Sequence, residues 1–194
     1  MSRRKTLESF LKVPVIYRAP AQWGEMDVFQ HVNNTVYFKY FEGARLAYMK
    51  KLLKTLLKID PENAPAFIKG WMNATGVGPI LADTECSFKF PMTYPDRVLV
   101  GASVDPATFN TTVGTRLTIR HDVWSLRHDR IVASGVGRVV IYDYADTKVV
   151  GASKAFVEAV EKMQSSSCTS MLESLQTERS DAMSENGDEF VGSL

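Results

Sequence analysis

The strongest repeating pattern along the chain is helical and covers residues 34–58. Apolar side chains recur there every three or four positions, while lysines take the opposite side. The apolar positions are Tyr37, Tyr40, Phe41, Ala44, Tyr48, Leu52 and Leu56. Asn33 or Asn34 suits the N-cap, since its side-chain oxygen can accept a hydrogen bond from an unpaired first-turn amide. Asp60 and Pro61 end the pattern, so we predict one long amphipathic helix.

Alternation with a period of two predicts strands before and after this helix. An extended segment at residues 13–27 contains Pro14 and Pro20, which favour an edge position because proline cannot donate a ladder hydrogen bond. Four further strands are predicted at residues 81–90, 97–104, 114–126 and 130–142. Gly135 and Gly137 interrupt the last strand, where a neighbour must approach closely or the strand must bend.

A shorter helix at residues 153–163 completes the predicted order of strand, long helix, four strands and helix. The long helix needs a sheet to cover its aromatic and aliphatic face. We therefore predict an α+β fold, with a curved antiparallel sheet of about five strands wrapped around that helix. The chain divides into a basic N-terminal arm or short helix (1–12), a folded domain (13–163) and an acidic, serine-rich tail (164–194) that we expect to be disordered.

Charge is distributed unevenly along the chain, although the net charge of the whole is +1. The segment from residue 166 onward holds six acids and one arginine, a balance of −5, which leaves +6 for residues 1–165. A positively charged folded part suits an anionic ligand, and ordinary surface charge is the alternative explanation. We expect no nucleic-acid partner.

The composition argues against several classes of protein. No apolar run reaches the ~18 residues of a membrane span, and no secretory signal is visible. Cys86 and Cys168 are too few for a disulfide framework, which fits a reducing compartment. His31, His121 and His128 show no metal-ligand spacing, so we expect no metal and no cofactor. The cytoplasm is the favoured compartment, and the arginine-rich start leaves mitochondrial import as the alternative.

Candidate chemistry is concentrated in residues 23–45. Asp27 ends the extended segment, and a His-Val-Asn-Asn run at residues 31–34 leads into the long helix. This order places a carboxylate, which can activate water or attack a carbonyl, beside helix amides that can stabilise an oxyanion. Glu25 is interpreted as a solvated neighbour, although a second carboxylate can also raise the pKa of Asp27. No serine has the Gly-x-Ser-x-Gly setting of a nucleophile, which favours a carboxylate mechanism.

These motifs resemble those of hotdog-fold acyl-CoA thioesterases of the 4-hydroxybenzoyl-CoA thioesterase-like group. The segments that carry the likeness are Trp-Gly-Glu-Met-Asp at 23–27, His-Val-Asn-Asn at 31–34, Phe-Glu-Gly-Ala-Arg at 41–45 and Pro-Met-Thr-Tyr-Pro-Asp at 91–96. The first three form a fairly specific block, and the fourth is weak alone. The resemblance covers residues 13–163 and leaves out the arm and the tail.

The resemblance implies a hotdog fold and a homodimer, or a dimer of dimers, with two active sites at the subunit interface. It implies an acyl-CoA or acyl-carrier-protein thioester as substrate, hydrolysed to a free acid and the thiol. Asp27 matches the catalytic carboxylate of the family. The backbone amide of Asn34 matches the group that binds the thioester carbonyl.

Other polar and aromatic residues are given supporting roles. His31 can act as a general base, but support of the loop by hydrogen bonding is the favoured interpretation. Asn33 is interpreted as a helix cap, and Tyr37 is a candidate for lining the acyl pocket. Three arginines on outward strand faces are candidates for the phosphates of coenzyme A, or belong to a solvated face: Arg116, Arg120 and Arg138.

Two other functions are alternatives. A hotdog dehydratase or hydratase usually pairs a histidine with an acid on the helix, whereas this helix carries Glu42 and no histidine. A dimeric acyl-CoA-binding or scaffold protein without catalytic activity is the second alternative, and the intact block around Asp27 argues against it.

Overall fold

The computed structural model describes residues 3–104, 115–172 and 174–175 of the chain. Its α-helices are α1 (Arg3–Phe10), α2 (Asn34–Ile59), α3 (Ala64–Met72) and α4 (Lys154–Gln164). Its strands are β1 (Val15–Ala21), β2 (Val77–Phe88), β3 (Asp96–Val104), β4 (Arg116–Ser125), β5 (Arg130–Asp143) and β6 (Lys148–Val149). Short 3₁₀ turns lie at Trp23–Glu25 and Thr169–Met171. The connection between the strands predicted at residues 97–104 and 114–126, and residue 114 itself, lie outside the described residues.

The strands form one antiparallel sheet with the order β1–β3–β4–β5–β2, and β6 pairs with β5. Strand β1 therefore lies at an edge, as Pro14 and Pro20 predict. The sheet curls around α2, and five of its strands are long. This architecture confirms the predicted α+β hotdog fold.

Helix α2 packs its apolar side on the inner, concave face of the sheet. Phe41, Ala44 and Tyr48 are fully buried there, and each large apolar side chain contributes roughly 1.5–3 kcal/mol by leaving water. Gly135 of β5 lies beneath Phe41. A Cβ atom at Gly135 would stand 2.5 Å from the Phe41 ring and 2.3 Å from the carbonyl oxygen of Glu85. The close approach predicted at Gly135 is confirmed.

The terminal segments lie against the opposite, outer face of the sheet. Of the two alternatives for the basic N-terminal segment, arm or helix, the structure shows a helix, α1, which buries Phe10. At the other end, Thr169–Met171 forms a turn and Leu175 is buried, although the sequence predicts disorder there. Residues 173 and 176–194 lie outside the described part of the chain, so the disorder expected for them and the domain limits stay predictions.

His121 of β4 is a titratable side chain enclosed in the core beneath α2. It is 2% exposed, and its ring stacks on Phe41 with the ring centroids 5.0 Å apart. Neither ring nitrogen has a hydrogen-bond partner among the described residues. Burial, together with the positive charge of Arg45, lowers the pKa of His121 to about 4. The imidazole is therefore neutral in the folded protein at neutral pH.

We predict that His121 lowers the stability of the protein in acid. Between pH 6.5 and about pH 4 the unfolded chain binds a proton that the folded protein does not. The free energy of unfolding should therefore fall, as the pH falls through this window, by up to about 3 kcal/mol. His121→Leu removes this titration at similar volume and should flatten the slope measured by urea unfolding between pH 7 and pH 4.

The control for this experiment is His31→Gln, which removes an exposed histidine instead of a buried one. A wild-type slope in the His121 variant would contradict the prediction.

Candidate active site

The segment that carries Asp27 is a tight loop pinned at both ends. The Asp27 amide donates to the carbonyl of His31 (2.9 Å), and the Gln30 amide donates to the carbonyl of Asp27 (2.9 Å). Gln30 adopts a positive φ of 60°, which closes the turn. A bridge between Met26 and Val32 joins the two arms of the loop. The loop therefore holds Asp27 and His31 next to each other at the entrance to α2.

The Asp27 carboxylate has one oxygen engaged and one available. Oδ1 accepts a hydrogen bond from the amide of Phe29 (2.9 Å), which fixes the side-chain orientation. Oδ2 has no partner among the described residues, and the side chain is half-buried. An oriented carboxylate with a free oxygen can take a proton from water or attack an electrophile.

The first turn of α2 presents one free amide. Asn33 is the N-cap, as predicted: its Oδ1 accepts from the Thr35 amide (2.9 Å), and its carbonyl accepts from the Val36 amide (3.0 Å). The Asn34 amide precedes any intrahelical acceptor and has no partner among the described residues. It lies at the positive end of a 26-residue helix, where a developing negative charge is stabilised.

Asp27 and Asn34 line the same pocket, which has a volume of about 470 Å³. Its other lining residues are Phe29, His31, Val32, Tyr37, Phe88, Lys89, Phe90, Pro91 and Met92. The buried wall is apolar, and the exposed rim carries Phe29 and Phe88. The structure thus brings together four of the predicted site residues, Asp27, His31, Asn34 and Tyr37, with Asn33 beside them as the cap.

Tyr37 forms part of the buried wall of this pocket. Its ring meets Phe88 edge to face, with the ring centroids 5.2 Å apart. Burial raises the pKa of Tyr37 to about 12, so the phenol keeps its proton at physiological pH. The wall therefore offers aromatic surface with one neutral hydroxyl, which suits an uncharged acyl group.

Glu25 joins the loop to the helix. Its carboxylate accepts hydrogen bonds from the hydroxyl of Tyr40 (2.9 Å) and from the amide of Gln22 (3.0 Å). Its carbonyl accepts from the Asn33 amide (2.9 Å). Burial and the bond to Glu25 both raise the pKa of Tyr40. The interpretation of Glu25 as a solvated neighbour was wrong, because its carboxylate is bonded to Tyr40. The contact was not visible in the sequence, since Tyr40 lies 15 residues further along the chain.

The opposite side of the pocket is held by the segment between β2 and β3. The Val32 amide donates to the carbonyl of Met92 (2.7 Å), which ties this segment to the loop. Asp96, at the start of β3, is 8% exposed and accepts hydrogen bonds from the Ser125 hydroxyl and the Arg127 amide (3.1 Å). These bonds fasten the pocket wall to the turn that follows β4.

The three arginines proposed for phosphate binding do not line this pocket. Arg138 forms ion pairs on the outer face of the sheet with Asp83 (2.6 Å) and Glu85 (2.5 Å). Arg120 borders a separate polar groove on the same face, and Arg116 is exposed at the start of β4.

Two other cations lie at or beside the pocket, and neither was predicted from the sequence. Lys89 lines it directly, and the Arg130 guanidinium lies 4.6 Å from the ring centroid of Phe90. Neither cation has a carboxylate partner among the described residues. The usable signal was the position of Lys89 two residues before the Pro-Met-Thr-Tyr-Pro-Asp segment at 91–96.

Neither a metal site nor a membrane-spanning helix is found among residues 3–104, 115–172 and 174–175. These residues contain no group of three or more His, Cys, Asp or Glu side chains placed to hold a metal ion. None of their helices combines the length and apolar character needed to cross a bilayer.

A family model described as the thioesterase-like superfamily matches residues 21–160, which is more than half of the chain. The chain belongs to the thioesterase-like superfamily. The matched region contains the whole Asp27 loop, helix α2 and the pocket wall. The family prediction is therefore confirmed.

Solved structures similar to this thioesterase-like chain share its fold at low identity. A putative thioesterase from Pseudomonas aeruginosa is 23% identical, with a TM-score of 0.57 over 76% of this chain and 98% of that one. A DHNA-CoA thioesterase from Staphylococcus aureus is 20% identical, with a TM-score of 0.58 over 77% and 89%. A Thermus thermophilus thioesterase complexed with coenzyme A and zinc is 20% identical, with a TM-score of 0.59 over 80% and 98%. No curated protein sequence matches the chain.

Proposed function

We propose that this protein hydrolyses acyl-CoA thioesters to a free acid and coenzyme A. The observation that carries the proposal is the shared pocket of the half-buried Asp27 carboxylate and the free Asn34 amide. A thioester needs little more than this pair, because its carbonyl is electrophilic and a thiolate leaves readily. Membership of the thioesterase-like superfamily supports the same reaction class.

In the proposed reaction, the thioester carbonyl oxygen accepts a hydrogen bond from the Asn34 amide. Oδ2 of Asp27 then either removes a proton from an attacking water or bonds directly to the carbonyl carbon. In the water route, the new C–O bond forms, the C–S bond breaks, and the thiolate takes up the proton that Asp27 removed from water. In the direct route, the C–S bond breaks as the anhydride forms on Asp27, and the water that later opens the anhydride supplies the proton of the thiol. Asn34 stabilises the oxyanion in both routes, with the dipole of α2 behind it.

The two ends of the substrate are assigned to different parts of the pocket. The buried wall, with Tyr37 and Met92, accommodates the acyl group. Coenzyme A carries several phosphate charges, and the Thermus thermophilus relative was solved with this molecule bound. We assign the phosphates to Lys89 and Arg130 in place of the outward arginines. Lys89 lines the pocket, Arg130 lies over the lining residue Phe90, and neither has a carboxylate partner among the described residues.

Lys89→Ala and Arg130→Ala should each raise the KM for an acyl-CoA about tenfold, the loss expected for one charge-assisted hydrogen bond. Neither change should affect an acyl-pantetheine thioester, which has the same acyl group and no phosphate. The measurement is thiol release with both substrates. Arg138→Ala is the matched control, because that guanidinium is already held by Asp83 and Glu85. An equal rise in KM for both substrates would contradict the assignment of the phosphates to Lys89 and Arg130.

The proposed assembly is a homodimer formed through β2. This strand lies at the free edge of the sheet and is 12 residues long. An unpaired edge of this length is prone to pair with another strand. Ile80, Leu81 and Phe88 of β2 are also exposed, which leaves apolar surface beside the edge. Pairing of β2 with its own copy would cover both features and bring the pocket rim at Phe88 to the subunit interface.

A screen of thiol release over short-chain, long-chain and aromatic acyl-CoAs tests the reaction. Turnover of one class supports hydrolysis and identifies the acyl group. Tight binding without thiol release would instead favour a non-catalytic acyl-CoA-binding protein. Hydration of an enoyl-CoA, followed by absorbance, would favour a hydratase. No observation in the pocket favours that activity, since α2 carries no histidine.

A further inference from the structure

The outer face of the sheet has an apolar half and a polar half. On the apolar half, Leu99 of β3 pairs with Trp124 of β4, and both side chains are buried. On the polar half, Glu85, Arg120 and Asp122 border a groove of about 360 Å³. The apolar half needs a cover, because an exposed apolar patch of this kind promotes association.

Two segments from opposite ends of the chain supply this cover. The ring of Phe10 in α1 stands 5.5 Å from that of Trp124, measured between centroids, and Phe10 also lies over Gly101 of β3. Leu175 joins the same apolar cluster from the other end of the chain. Further contributors from the two segments are Leu7, Leu11, Met171 and Leu172. This cluster is separate from the core beneath α2.

Hydrogen bonds connect the two segments to each other and to α2. The Cys168 amide donates to the carbonyl of Leu11 (3.0 Å). The ammonium of Lys51, on α2, donates to the carbonyl of Pro14 (2.8 Å) and to the hydroxyl of Ser166 (2.9 Å). The cover is therefore attached at several points, and the carbonyls of Leu11 and Pro14 have hydrogen-bond donors where the two ends of the chain meet.

We propose that these terminal segments are a built-in cover that takes the place of a second dimer on the outer face. Helix α1, residues 168–172 and residues 174–175 all lie outside the family match at 21–160. With the apolar half occupied from within each chain, two dimers cannot pack sheet against sheet there. Assembly stops at the homodimer proposed above, on which this inference rests.

Phe10→Glu tests the cover, because it places a charge against Trp124 and should release α1. Size-exclusion chromatography with light scattering should give the wild type the mass of two 21.7 kDa chains at every concentration. The variant should reach the mass of four chains or more as its concentration rises. Amide exchange should become faster in β3 and β4 of the diluted variant. Ser9→Glu adds the same charge at an exposed neighbouring position and should stay dimeric.

Two results would overturn the proposal. One is a wild-type protein of four chains. The other is a Phe10→Glu variant that stays dimeric while its β3 and β4 amides exchange quickly, because the uncovered face would then not associate. A monomeric wild type would contradict the proposed homodimer instead. The proposal about the cover would then depend on whether Phe10→Glu forms larger assemblies than the wild type. If circular dichroism shows that Phe10→Glu does not fold, Phe10→Ala replaces it and the same comparison decides.

Discussion

Asp27→Asn should hydrolyse an acyl-CoA about 10²-fold or more slowly than the wild-type protein. Asparagine can neither take a proton from water nor form the acyl intermediate, so both routes of the proposed reaction lose their central group. The variant keeps Oδ1, which accepts the Phe29 amide at 2.9 Å, so the loop should keep its conformation. The measurement is thiol release at saturating acyl-CoA, with unchanged circular dichroism and melting temperature.

The matched control is Asp83→Asn, which neutralises a carboxylate on the outer face, where it pairs with Arg138 away from the pocket. This control should retain wild-type turnover. If Asp27→Asn also turns over at the wild-type rate, Asp27 is not the catalytic group. Loss of activity in both variants would point to charge or folding rather than to the chemistry at Asp27.

An isotope experiment separates the two routes open to Asp27. A single turnover in H₂¹⁸O by direct attack leaves ¹⁸O in the Asp27 carboxylate when water opens the anhydride at the aspartyl carbon. General-base catalysis places the label in the released acid alone, as does opening of the anhydride at the acyl carbon, so label at Asp27 is the result that identifies direct attack. Mass spectrometry of the peptide that contains Asp27 reads the difference, and the Asp27→Asn protein supplies the blank.

The sequence could predict the fold because its two periodicities agree with one architecture. The helical repeat defined α2 almost to the residue, and the edge position of β1 followed from Pro14 and Pro20. Asn33 was recognisable as a cap because capping is a local hydrogen bond. Asp27 and Asn34 were recognisable for a similar reason: only a short loop separates them, so chain connectivity alone brings them together.

Contacts between segments that are distant in the sequence could not be predicted from periodicity or from local hydrogen bonding. Alternation showed that Arg138 points away from the core, but it could not show that Asp83 and Glu85 on β2 hold it there. Lys89 follows the end of β2, where the chain meets the pocket. The alternation of a strand shows which face a side chain is on, but it does not show where a pocket lies. Composition also predicted a tail without structure, whereas Leu175 is buried through tertiary packing against α1.

Asp96→Ala should lower the free energy of unfolding by about 3 kcal/mol, the second large effect we expect. The carboxylate is only 8% exposed and accepts hydrogen bonds from the amides of Arg97 (2.7 Å) and Arg127 (3.1 Å) and from the Ser125 hydroxyl. Removing it leaves these three donors without their acceptor, in a site that water reaches poorly. Urea unfolding at pH 7 measures the loss.

Asp122→Ala is the control that tests whether burial of the carboxylate causes the large loss of stability. Asp122 also accepts a hydrogen bond from a serine hydroxyl, that of Ser134, but it is half-buried on the outer face. Water can replace that bond, so its removal should cost about 1 kcal/mol or less. Equal losses at Asp96 and Asp122 would contradict the argument. Because Asp96 fastens the pocket wall, a folded Asp96→Asn protein should also show a raised KM for acyl-CoA, whereas Asp122→Ala should not.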